Sequence, residues 1–298
     1  MKTMKLLAPM LVAVACSPSA SWALPVFGAE LASFAVLGAS PVTSTGATGL
    51  VGNLGVSPGS AITGFFGTVE NDGPGTFTGT PHQADAFAAT AQLQLGAAKA
   101  SLGSLGPGTL ESANLGGLTL APGVYTVLPG VTNLTGTLTL DGGGNVNAFW
   151  VFQFASTFIT SADSVVDVIN TGAGAGVYWN IGSSATLGAR TTFEGNLLAS
   201  ASITMNDGVT ITCGRALAQT GAVTMIGDSV DSVGCAGTGE QGSNGLSGGL
   251  TVPFPGGTPV PIVVIAAIPE PETYALMLAG LGAMGFAVRR NKRRGAAR

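Results

Sequence analysis

The sequence predicts a mainly β chain wound as a β-solenoid, with one long amphipathic helix beside it. Three observations carry that prediction. From Val177 the chain reads as three consecutive nineteen-residue blocks, VYWNIGSSATLGARTTFEG, NLLASASITMNDGVTITCG and RALAQTGAVTMIGDSVDSV. Short β-favouring runs punctuated by Gly, Asn and Asp at such a period are the mark of stacked coils, because one coil cannot bury its inward residues alone. Between His82 and Gly103 the alternation stops, and Phe87, Ala91, Leu95, Ala98 and Leu102 form a stripe of helical spacing. The composition is rich in glycine (47 residues), and only 9% of residues are charged, yet hydrophobic residues make up 46% and recur in short runs throughout. That is the composition of a packed β protein rather than a disordered chain.

The elements follow in order. Lys2 and Lys5 precede an apolar stretch from Leu6 to Ala15, and Ser21-Trp22-Ala23 offers the small residues of a signal-peptidase site. Residues 1–23 are therefore expected to be a secretory signal, with cleavage after Ala23; a lipoprotein box at Ala13-Val14-Ala15-Cys16 is the weaker alternative. The β-solenoid domain is expected over 24–236. Its first two coils span Ala35 to Gly52 and Asn53 onward. The helix over about 82–103 would begin at a capping box, with Thr80 as N-cap, Pro81 at the first position and Gln83 at the third. Looser coils start at Gly123 and Phe149 and are lengthened by Gly-rich loops. In the regular blocks Thr186, Thr204 and Thr224 each follow an apolar residue, which suits either an exposed row or an internal stacked ladder. Residues 237–268 read as a Gly/Ser/Pro linker without periodicity. Residues 269–298 run from Pro269-Glu270-Pro271 through an apolar stretch, Tyr274 to Val288, to a basic cluster from Arg289 to Arg294. The apolar stretch falls short of the roughly 20 residues of an untilted span, so a transient or marginal membrane anchor is expected.

Between Leu24 and Ile268 only Lys99, Arg190 and Arg215 are basic against thirteen acidic residues, a net charge near −10. Such a body has no electrostatic footprint for nucleic acid. After export Cys213 and Cys235 remain as an even pair in an oxidising compartment, so a disulfide between them is expected, worth roughly 3 kcal/mol.

An enzyme is not expected. The one histidine, His82, falls at the predicted helix start, so neither a multi-His zinc site nor a Ser-His-Asp arrangement can be built around it. Asp163 and Asp167 could pair, but a lyase acting on acidic polymers needs basic residues that the body lacks. Gly142-Gly143-Gly144 has no following Lys and helix and reads as a turn. No catalytic residue, metal or cofactor is assigned.

Two sets of residues resemble known families. Pro269-Glu270-Pro271, the apolar run and the basic cluster resemble the PEP-CTERM sorting signal, which implies processing by an exosortase-type enzyme and an exported, cell-surface or secreted product of a Gram-negative bacterium. Phe34-Ala-Val-Leu-Gly-Ala, Gly52-Asn-Leu-Gly-Val-Ser-Pro-Gly, Leu118-Thr-Leu-Ala-Pro-Gly-Val-Tyr, Leu138-Thr-Leu-Asp-Gly, Gly182-Ser-Ser-Ala-Thr-Leu-Gly and Gly214-Arg-Ala-Leu-Ala resemble, in order, the microbial ice-binding-protein-like family. The resemblance implies an irregular, right-handed, three-sided β-solenoid (β-helix) with a long helix packed alongside. It also implies antifreeze activity, in which a flat Thr-bearing face adsorbs to the surface of ice crystals and arrests their growth. Thr-Gly/Ala-x-Thr/Asn motifs on that face point to Thr45 and Thr48, to Thr135 and Thr137, and to Thr191, Thr192 and Thr210. Arg190, Asp163, Asp207 and Asp228 depart from the pattern, and charge on an adsorbing face is expected to weaken it. The alternative is a surface structural or adhesive module that contacts exopolysaccharide.

Overall fold

The computed structural model describes residues 24–234, 245–254, 256–262 and 278–282. The chain divides into two compact units, residues 1–262 and 263–298. In the second, residues 278–282 form a short helical stretch. Among the described residues no helix is long and apolar enough to cross a membrane. The predicted signal peptide and the Pro269-Glu270-Pro271 motif lie outside the described residues.

The first unit is a stack of parallel coils. Each coil lays down strands on three ladders in turn, and each strand pairs in register with its counterpart one coil away. On one ladder Phe158–Ile159, Ala185–Leu187, Ile203–Met205, Val223–Ile226, Val42–Thr45 and Ile62–Thr63 stack side by side. A second ladder runs from Thr119–Leu120 through Thr137–Asp141 and Val165–Ile169 to Gly49–Val51 and Thr76–Phe77. The third contains Gly123–Val127, Phe149–Phe154, Gly176–Ile181, Phe34–Gly38 and Asn53–Val56, together with the second halves of Thr192–Ala199 and Thr210–Ala218. Strand alternation sends every second side chain inward. Inside, Tyr125, Phe152 and Trp179 stack along the axis, with ring centroids 5.6 and 4.2 Å apart. The indole N–H groups of Trp150 and Trp179 donate to the carbonyls of Leu120 and Glu194.

Coil order does not follow chain order. The N-terminal coil docks after the last repeat, with Val36 opposite Ala216 and Leu37 opposite Leu217. The next two strands extend that end to Pro81–Gln83. The chain must then return to the far end, where Thr109–Glu111 starts the remaining coils. Helix α2, Ala86–Gly103, makes that return. Its 18 residues span about 27 Å at 1.5 Å per residue, and the Ser104–Gly108 segment completes the crossing. Ala88, Ala91, Leu95, Ala98 and Leu102 face the third ladder and pack with Val151, Tyr178, Leu198 and Leu217. Lys99, buried and depressed to about 8 by that burial, donates to Asn180 Oδ1 and to the carbonyls of Ile181 and Leu198, fastening the helix to two coils.

Two sequence expectations need correction. The helix starts four residues later than the predicted 82, because Pro81–Gln83 pairs as a strand with Asn53–Val56. Asp85 is the N-cap and accepts from the Ala88 amide at 2.8 Å. Of the predicted stripe, Phe87 is on the exposed side; its ring stacks on His82 at 4.4 Å. The predicted linker over 237–268 is also wrong for residues 245–262. Leu250–Val252 pairs antiparallel with Leu24–Pro25, and Leu246, Leu250 and Val252 are buried against the body. Three apolar anchors in Gly-rich surroundings give too little periodicity to be read as structure.

Candidate functional site

The third ladder lies beneath α2, which leaves two faces open to solvent. On the first ladder the inward column is Phe158, Ala185, Ile203, Val223, Val42 and Ile62, all buried. One residue on, the outward column is Ile159, Thr186, Thr204, Thr224, Thr43 and Thr63. Five consecutive coils therefore carry threonine at the same outward position. The column two residues earlier is Thr157, Ser184, Ser202, Ala222, Pro41 and Ala61. Strand spacing of about 4.8 Å and a two-residue rise of about 6.6 Å make these columns a nearly rectangular grid. Every side chain in both columns is uncharged. Thr43 and Thr224 share a 3.4 Å hydroxyl contact, whereas the hydroxyls of Thr63, Thr186 and Thr204 take no protein partner among the described residues. They remain free to order water. Val and Ile fill the inward position on four of the six strands, where a β-branched pair on both sides of the strand holds it extended.

The second ladder differs. Its first outward column, Thr137, Val165, Thr192, Thr210, Ser229, Gly49 and Thr76, is uncharged. The rest of that face carries Asp141, Asp167, Glu194 and Asp231. Glu194 folds back to accept the Val168 amide at 2.8 Å.

Where the two faces meet, each coil turns a corner through a left-handed residue: Gly136, Asp163, Arg190, Gly208, Gly227 and Gly46, with φ of 80, 58, 55, 73, 63 and 84°. This is why Thr-Gly-x-Thr spacing recurs, since glycine adopts that conformation at no steric cost. The corner places the predicted contact residues unequally. Thr137, Thr192 and Thr210 share the first column of the acidic face. Thr45 sits at the end of its strand on the threonine face, exposed, opposite Ile226. Thr135 is exposed at the corner, its hydroxyl 3.1 Å from that of Ser161. Thr48 and Thr191 cannot reach a surface. Thr48 is 1% exposed and accepts from Ser44 Oγ and from the Asp228 amide. Thr191 is fully buried, bonded to Thr160 Oγ1 and to the Gly188 carbonyl. Their hydroxyls close the inside of the corner.

The four charged residues divide in the same way. Asp228 points inward, 2% exposed, and accepts the amides of Val209 and Ile226 at 2.8 Å each. Burial pushes it up to about 6, against the lowering effect of those two amides. A carboxyl raised above its unfolded value near 3.9 stabilises the fold below that value, and the contribution is lost as pH rises through 6. The unfolding free energy of the purified chain should therefore fall between pH 4 and 7 by a component of up to about 3 kcal/mol that Asp228→Asn abolishes, with Tm falling in step. Scanning calorimetry across that range on both proteins checks it. Arg190 and Asp163 point outward and form a bidentate pair across adjacent coils, 2.8 Å at both contacts. The pair holds the Asp163 carboxyl below the usual range and lifts the Arg190 guanidinium above its own.

Cys213 is fully buried; Cys235, its expected partner, lies outside the described residues. His82 hydrogen-bonds Asp85 at 2.6 Å beside Phe34 and Phe87, away from both open faces. Among the described residues no group of three or more His, Cys, Asp or Glu side chains could hold a metal ion.

The threonine row was legible only in part. Thr186, Thr204 and Thr224 repeat visibly in the sequence. Thr43 and Thr63 carry the same signal, an apolar residue followed by Thr in Val42-Thr43 and Ile62-Thr63, but they lie more than 120 residues away in the chain.

Comparison with known proteins agrees with the architecture. Residues 36–231 match the family described as Ice-binding-like, and residues 267–294 match the PEP-CTERM protein-sorting motif. An ice-binding protein of Nostoc sp. (strain HG1) is 41% identical over 264 residues, covering 88% of this chain and 86% of the relative. The ice-binding protein crystal structure from the Antarctic ascomycete Antarctomyces psychrotrophicus superposes with a TM-score of 0.63 at 36% identity, covering 70% of this chain and 98% of that one. That of an ice-binding protein from an Antarctic biological consortium gives 0.62 at 35% identity, covering 76% and 96%. With its family match spanning most of the coiled unit, the chain belongs to the ice-binding-like family and carries a C-terminal PEP-CTERM sorting motif.

Proposed function

We propose that this protein is an exported ice-binding protein that adsorbs to ice through the face built on Thr43, Thr63, Thr186, Thr204 and Thr224. One observation carries the reading: five stacked outward threonines form an uncharged grid on consecutive parallel coils. Each presents a methyl and a hydroxyl on a support too rigid to adapt to liquid water, so the bound water must conform to the protein. The charge-bearing second face lacks that continuity. Thr45 extends the contact at one edge of the face. Thr135, Thr137, Thr192 and Thr210 border the corner, and Thr48 and Thr191 support it from within.

The coils wind right-handed, as parallel strand–crossover–strand connections do. The domain limits follow from the same reading: a signal over 1–23, a body that includes residues 245–262, and a sorting segment from 269. A Cys213–Cys235 disulfide suits a fully buried Cys213 in an exported chain. The sorting motif makes the chain a substrate for an exosortase-type enzyme and directs it to the cell surface, with transient anchoring in the inner membrane. The activity is binding, not catalysis. No observation favours the exopolysaccharide-contacting alternative.

The purified chain should facet growing ice crystals and slow recrystallisation at micromolar concentration. Smooth, unshaped disc growth at millimolar protein would refute the reading.

A further inference from the structure

The corner between the two open faces has uncharged columns on both sides. On one side lie the two uncharged columns of the threonine face. On the other lies a third uncharged column, Thr137, Val165, Thr192, Thr210, Ser229, Gly49 and Thr76. Among the described residues the outward charges along this corner belong to Asp163, Arg190 and Asp207, on three consecutive coils. The side chains of Arg190 and Asp163 are 61% and 63% exposed, so their pairing neutralises net charge but leaves both groups strongly hydrated.

Asp163 and Arg190 occupy left-handed positions that other coils fill with Gly208 and Gly227. A side chain in that conformation is strained relative to glycine. An exposed ion pair returns little of that cost, because water screens both charges. Stability therefore gives no reason to prefer Asp and Arg to Gly at these two places. Their hydration supplies a different role.

We propose that Asp163, Arg190 and Asp207 are specificity-determining residues that confine ice contact to the threonine face. Their water shells interrupt ordered water at the corner and keep the third uncharged column out of the contact. The inference rests on the ice-binding reading above and assigns these residues a restrictive rather than an adsorbing role. Removing the three charges frees the third column to adsorb on its own side of the corner and enlarges the total surface that can adsorb.

The test compares the full wild-type chain with a triple variant, Asp163→Gly, Arg190→Gly and Asp207→Asn, using substitutions that the left-handed corner and the following turn accept. Thermal hysteresis should rise about twofold or more, since adsorption strengthens with the area buried. Fluorescently labelled triple variant should also decorate planes of an ice hemisphere that the wild type leaves dark. A merely structural role for the three residues would move Tm and leave the plane pattern unchanged, so Tm is measured alongside. Unchanged or reduced hysteresis with the wild-type plane pattern, in a variant that folds normally, overturns the proposal. Absence of any ice activity in the wild type is a separate outcome that refutes the ice-binding reading itself, and with it this inference. If the glycine variant fails to fold, Asp163→Asn with Arg190→Asn and Asp207→Asn removes the same charges with residues that also tolerate φ above zero.

Discussion

Thr204→Tyr is expected to abolish most of the thermal hysteresis and crystal shaping while leaving the fold intact. Thr204 lies between Thr186 and Thr224 in the outward row, and its hydroxyl has no protein partner among the described residues. Its loss breaks no internal bond, and tyrosine is a good strand residue, so stability should move by no more than about 0.5 kcal/mol. The ring, however, stands several ångströms above a surface whose use depends on flatness. It holds the neighbouring threonines away from the ice plane on both sides. Thr192→Tyr, on the acidic face, is the matched control: it adds the same bulk on the other side of the corner and should leave activity near that of the wild type. Nanolitre osmometry measures both, with circular dichroism confirming the fold. Loss of activity in Thr192→Tyr but not in Thr204→Tyr would move the contact to the second face. Thr48→Tyr is uninformative about ice, because that side chain is 1% exposed and its replacement would disrupt the corner itself.

What the sequence disclosed, and what it withheld, divides along the range of the interactions. Period and alternation are local, so the solenoid, its inward columns and the Ala91, Leu95, Ala98 and Leu102 side of α2 were legible. The cap of α2 was not. Thr80, Pro81 and Gln83 satisfy a capping box locally, but a parallel partner at Leu54 to Val56 claims Pro81–Gln83 as a strand, and Asp85 is left to cap. The stacking order was equally hidden. No local pattern states that Val223–Ile226 pairs with Val42–Thr45, nearly two hundred residues earlier in the chain, yet that pairing completes the threonine row. Thr48 was misplaced for a related reason. Thr-Gly-x-Thr marks a corner whose glycine turns the chain; the second threonine, Thr48, is drawn inward by Ser44 and by the Asp228 amide. Spacing marks the corner of each coil but does not tell which hydroxyl faces water.

Arg215→Met should lower the stability of the body by roughly 3 to 5 kcal/mol, among the largest losses available to a single substitution here. Arg215 is 1% exposed and sits beside Asn196 of the adjacent coil in the same register. Its guanidinium donates to the Ala32 carbonyl through Nε and Nη2, to Asn196 Oδ1 and the Gly245 carbonyl through Nη1, and to the Ser232 carbonyl through Nη2. Asn196 in turn donates to the carbonyls of Val177, Gly245 and Leu246. The two side chains thus clasp four stretches of chain that sequence leaves far apart: the end of α1 (Ala29–Ala32), two coils, and residues 245–262, the return segment. Burial lowers the guanidinium to about 10, still charged at neutral pH, so the bonds are charge-assisted. Methionine fills much of the volume but leaves those carbonyls without donors in a site closed to water. Lysine keeps the charge but lacks the planar fork that reaches Ala32 and Gly245 together, so Arg215→Lys should recover only part of the loss. For a body of this size the expected drop in Tm is roughly 10 °C, read by scanning calorimetry. Limited proteolysis gives the more specific readout. Loosening the clasp should expose the return segment to cleavage near Gly245 before the coils unfold, whereas the threonine face, on another side of the same coils and supported from within, should keep its ice activity at low temperature. A variant that melts with the wild type and resists cleavage there would show that the return segment is held by its apolar anchors alone.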